Sequence, residues 1–63
     1  MSNKDIMQDI VADVHKIIAN LDDAVSQGHW EEAETLCRDI ADEAEDGARY
    51  ASILHDEYME SKT

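Results

Sequence analysis

The sequence predicts an all-α protein, an antiparallel two-helix hairpin that dimerises into a four-helix bundle, on three observations. Apolar residues recur at alternating steps of three and four along two separate runs. The chain has no proline, and its two glycines are Gly28, between the runs, and Gly47, inside the second. The 63 residues include no Phe and one Trp, and the hydrophobic fraction of 43% leans on alanine, so a lone hairpin has little with which to build a core.

The whole chain, 1–63, forms one domain in this reading. Its first helix is expected over residues 3–26. Ser2, with Asp5 three positions later, is a capping-box start. Beyond it Ile6, Ile10, Val14, Ile17, Leu21 and Val25 mark one face, flanked by Met7, Val11 and Ile18. Gly28 can take the left-handed conformation that closes a helix, which puts a turn at 27–29.

The second helix is expected over residues 30–60. Glu31 and Glu32 in its first turn complement the positive end of the helix dipole. Its seam runs Trp30, Ala33, Cys37, Ile40, Ala44, Gly47, Ala51, Leu54, Tyr58 without a slip, widened by Leu36, Ala41, Ala48 and Ile53. Asp46-Gly47 is a turn signal, but the apolar phase continues across it. A glycine inside a helix costs about 1 kcal/mol relative to alanine, so one long helix is expected. The short connection makes the two helices antiparallel neighbours, and pairing two hairpins covers the apolar side chains left on the open flank. Trp30 is expected to close the core beside the turn, with its ring buried and its N–H wet. Cys37, on the seam, is expected to act as a small buried hydrophobe.

A short first helix, a tight turn and a second helix with Cys37 and alanines on its seam resemble the plasmid copy-number regulator Rop, a hairpin that dimerises into a four-helix bundle. The resemblance implies a homodimer. RNA recognition of the Rop kind needs basic and aromatic residues on the outer first helix, where this chain has Asp5, Asp9 and Asp13. Direct nucleic-acid binding is therefore not expected.

Several function classes fall away on composition. One cysteine excludes an internal disulfide and suits a reducing, cytoplasmic setting. No run approaches the roughly 18 apolar residues of a membrane span, and no basic-then-apolar leader opens the chain, so a soluble, unexported protein is expected. His15, His29, His55 and Cys37 have no i, i+3 or i, i+4 pairing among themselves, and no Cys-x-x-Cys occurs. Neither a metal site nor a cofactor is expected. Carboxylates are abundant, but acid–base catalysis needs a concave pocket that drives two pKa values apart, and a slim hairpin offers little cavity. The reading is non-enzymatic.

What remains is charge: 16 acidic residues against 5 Lys and Arg, a formal net charge of -11. Asp5, Asp9 and Asp13 follow i, i+4 spacing, about 6 Å per step along the axis. Like charges so placed weaken a helix by a few tenths of a kcal/mol per pair. Asp22 and Asp23, near the end of the first helix, oppose its dipole. On the second helix Glu34-Arg38-Asp42 and Glu45-Arg49 read as ion-pair ladders, whereas Glu32, Asp39, Glu43 and Asp46 form a stripe expected to have no basic partner.

Solvation of a small scaffold is the plain account of such a surface. The functional account is a negative rod that fits a basic groove. In composition and build the chain is similar to the small acidic DNA-mimic proteins that bacteriophages direct against host nucleases and other DNA-binding proteins. That likeness implies inhibition of a host protein with a basic groove, in the host cytoplasm, through Asp5, Asp9, Asp13, Glu32, Asp39, Glu43 and Asp46. The alternative is a structural or regulatory adaptor whose partner packs on an exposed apolar flank beside Leu36, Tyr50 and Ile53.

Overall fold

The computed structural model describes residues 2–62, which form two helices and no strand: α1, Asn3–Ser26, and α2, Trp30–Lys62. Ser2 caps α1 as its sequence suggests, its hydroxyl accepting from the Asp5 amide at 3.2 Å. At the other end Gly28 takes a φ of 72°, and the His29 and Gly28 amides donate back to the Ala24 and Val25 carbonyls. This is the Schellman pattern, and a side chain at Gly28 would strain it. The His29 carbonyl then accepts from Ala33 and starts α2 directly. The connection is too short for anything but an antiparallel return.

α2 runs unbroken through Asp46-Gly47 and ends two residues later than expected. Gly47 is where the helices come together: a Cβ built there would lie 3.4 Å from Ile10 Cγ2 and 3.6 Å from Met7 Cε. Those are ordinary contact distances, so the glycine is not sterically required. Gly47→Ala is expected to stabilise the fold by about 1 kcal/mol through helix propensity. In a domain this small that is a rise of roughly 4–8 °C in the thermal midpoint by circular dichroism. A lower midpoint would mean that Ile10 cannot yield. At the open end Asn3 Nδ2 donates to Glu57 Oε1 at 3.2 Å, which shows the register the two helices keep there.

The molecule is a rod of 52 × 16 × 15 Å. Its radius of gyration is 15.1 Å, against about 11 Å for a globular chain of this length. A rod of two helices has one internal seam and little else. Among the described residues the buried hydrophobics are Ile10, Ala24 and Ala33, and no side chain is fully enclosed. The packing is thus incomplete in one copy.

The structure corrects the expected α2 seam. Of that row only Ala33, Ile40, Gly47 and Leu54 face α1, and Leu36, Glu43 and Tyr50 complete the buried or half-buried face. Trp30, Cys37, Ala44, Ala51 and Tyr58 are exposed. Leu36, Ile40, Tyr50 and Leu54 fill the space beside α1, and Ala33 and Gly47 let the helices approach between them. Trp30 is not buried at the turn but 66% exposed, because α1 ends at Ser26 and supplies no wall to cover it. Cys37 is exposed too.

Candidate functional site

The seam divides the hairpin surface into two unlike flanks. On one, Asp13, Lys16 and Asn20 of α1 face Asp39, Asp42 and Glu43 of α2 across a groove. On the other, Met7, Val11, Val14 and Ile18 of α1 face Ala44, Ala48 and Ala51 of α2 across a second groove. The separation follows from helical phase. Residues two or three positions off the buried row point to one side of it, and residues one or four positions off point to the other. Most of the acids and most of the surplus apolar side chains that line these two grooves are thus sent to opposite sides, with Ile53 on the acidic side and Asp22 beside Ile18 and Val25 as exceptions.

Three of the seven residues singled out in the sequence meet in the acidic groove: Asp13, Asp39 and Glu43. Glu43 is half-buried, taking a place in the seam itself, whereas Asp13 and Asp39 are exposed. Glu32 extends the flank toward the turn, beside Asn20 and Gln27. Asp9 stands one turn from Asp13, and Asp46 two turns from Asp39, so both prolong the flank toward the open end. Asp5 is not brought to it. Steps of four residues turn about 40° each, which carries Asp5 roughly 80° away from Asp13. It sits in the first turn of α1, where the helix dipole favours an anion.

Two expected pairings differ. Arg38 Nη2 bonds Glu34 Oε1 at 2.7 Å as the ladder predicts, but Asp42 lines the acidic groove. Arg49 approaches Asp46, at 3.9 Å, rather than Glu45. His29 Nδ1 also lies 3.6 Å from Glu32. The α2 stripe is therefore not wholly without basic neighbours. All these groups are more than half exposed, and such pairs contribute at most about 1 kcal/mol each.

Asp42, Lys16 and Asn20 belong to the acidic groove and were missed by reading each helix separately. Folding the chain about a turn at 27–29 sets Asp13 level with residue 43 or so, and that register would have gathered them. Among the described residues no three His, Cys, Asp or Glu side chains are arranged to hold a metal ion. No helix among them is long and apolar enough to cross a membrane.

The exposed apolar flank is also not where the adaptor alternative put it. Leu36 and Tyr50 are half-buried, and Ile53 lies around the acidic side of α2. The open flank instead carries Val11 and Ile18, 44% and 48% exposed, beside the alanines of α2. Comparison with known proteins yields no match: no family model fits the chain, and no curated protein or solved structure matches it significantly.

Proposed function

We propose that this chain is a non-enzymatic, acidic protein-binding module that works as a homodimer. Two hairpins pair through their apolar flanks into a four-helix bundle, and their acidic flanks turn outward toward a protein with a basic groove. The observation that carries the reading is the segregation of the two flanks. A surface needed for solubility alone would gain nothing from clearing one side of charge. A cleared side that is apolar, on a rod with almost no buried core, calls for a cover. Once it is covered, the remaining surface is a rigid negative face.

Duplex DNA presents one charge per about 1.7 Å of its axis, and the proteins that hold it do so with Lys and Arg. Carboxylates on two adjacent helices, fixed by the seam, suit the same grooves without the bases. The chain is in this reading a DNA mimic that occupies the nucleic-acid groove of a nuclease or another DNA-binding protein, in the manner of phage inhibitors acting in a host cytoplasm.

The immobilised protein, offered bacterial lysate, is expected to retain a DNA-binding protein at roughly 50 mM salt and lose most of it by roughly 200 mM. Excess duplex DNA should displace the same protein at low salt. Retention that ignores both salt and DNA would reject the mimic. It would favour the adaptor alternative, with a partner seated on Val11, Ile18 and the α2 alanines.

A further inference from the structure

The exposed half of the α2 seam is a single row at seven-residue spacing: Trp30, Cys37, Ala44, Ala51, Tyr58. The row is symmetric in size about its middle. Ala44 is the centre, Cys37 and Ala51 are small and equidistant from it, and Trp30 and Tyr58 are large aromatics at its ends. Trp30 is 66% exposed and Tyr58 54%. We propose that two copies pair along this row, antiparallel, about a two-fold axis at Ala44, so that Cys37 meets the partner's Ala51 and Trp30 meets the partner's Tyr58. The proposal rests on the dimeric reading above and adds to it the face and the register.

Three observations single out a second copy as the occupant. A two-fold contact needs a self-complementary surface, and a row that reads the same in size from either end is one. Alanine at the axis lets the helices approach closely, while the aromatics, each about 21 Å from the axis, close the two ends of the bundle.

The first helix fits the same axis independently. Ile10 packs at Gly47 and Asn3 bonds Glu57, so the α1 residue level with Ala44 is near Val14. An axis there sets Val11 on the partner's Ile18, and both are close to half exposed in one copy.

The available area is also adequate. A whole face of a molecule 52 Å long and 16 Å wide spans at most about 800 Å2, so a flank running its length approaches one partner's share of a standard interface. The charge distribution does not oppose it, because the acidic grooves of both copies stay on the outside.

The test is cross-linking. Helices about 8–9 Å apart, with Cα atoms roughly 2.3 Å from each axis, bring facing Cα atoms within about 5 Å, inside the range a disulfide spans. A Cys37→Ser, Ala44→Cys variant treated with oxidised glutathione should become a covalent dimer at least tenfold faster than Cys37→Ser, Asp39→Cys. Keeping Cys37 and adding Ala51→Cys should cross-link as well, which guards against a variant at the axis that fails to fold. The natural chain, whose two Cys37 residues would lie about 21 Å apart, should not. Light scattering of the untreated natural protein separates the failures. A monomer mass at about 100 μM, near the concentrations at which weak complexes form, removes the dimer altogether. A dimer mass with no advantage for Ala44→Cys, or with rapid linking through Cys37 alone, keeps the dimer and overturns this register.

Discussion

An Ile18→Glu substitution is expected to keep the protein monomeric at concentrations where the natural chain is paired, and to lower its helicity. Ile18 is 48% exposed in one copy, so about half its side chain remains to be covered by a partner. Completing that burial is worth about 1 kcal/mol. A carboxylate in its place adds a desolvation penalty at least as large, with no cation beside it to offset the charge. A two-fold interface counts each substitution twice. The loss is then about 4 kcal/mol, or roughly a thousandfold in the dimer dissociation constant.

Helicity should follow, because the buried hydrophobics among the described residues of a single hairpin are Ile10, Ala24 and Ala33, and in the proposed dimer a second copy would complete the core. Sedimentation across a dilution series, with circular dichroism on the same samples, reads both effects. Ile53→Glu is the matching control. Ile53 lies around the opposite side of α2, and its substitution should leave the dimer mass unchanged. An Ile18→Glu protein that dimerises as tightly as the natural chain would show that the apolar flank is not the pairing face.

The contrast between Ile18 and Ile53 shows what one sequence discloses here and what it does not. The helices are legible because their signals are local. Ser2 supplies a cap, Gly28 a left-handed residue, and the apolar steps a period. The partition of the second helix is not local. Both halves of its seam repeat every seven residues and both are apolar, so periodicity gives the width of the stripe without saying which edge faces α1. That is settled only once the two helices are side by side, with Leu36 and Tyr50 drawn into the face. Trp30 misleads for a related reason: tryptophan is usually covered, but the helix that would cover it ends four residues earlier. The acidic flank is half legible. Spacing along each helix picks out Asp9, Asp13 and Asp39, while Asp42 joins them only through the register across the hairpin. Spacing also includes Asp5, which the drift of an i, i+4 series carries off the flank.

The acidic flank yields the second large effect. Asp9, Asp13 and Asp39 changed together to Lys are expected to abolish binding to a basic-groove partner while leaving the bundle intact. All three are exposed, so no packing is lost. Glu43, although it shares the groove, is half-buried in the seam, and reversing it would confuse a folding defect with a binding defect. Each reversal adds two charges, and the variant carries -5 per chain in place of -11. Local helix energetics barely change, since one set of like charges replaces another and the new Lys at position 9 gains Asp5 four residues before it. Circular dichroism and light scattering should therefore match the natural protein. Binding should not. If each carboxylate contributes about 1 kcal/mol against a Lys or Arg, and its replacement introduces repulsion of similar size, the total approaches 6 kcal/mol, more than a thousandfold in affinity. Much of that should appear in the association rate and shrink as salt screens the field, because steering by charge acts before contact. A variant that keeps its fold and still binds the same protein, with the same salt dependence, would leave the acids with solvation as their sole role. A variant that binds but no longer yields to duplex DNA would place the partner elsewhere on the bundle and end the mimic reading.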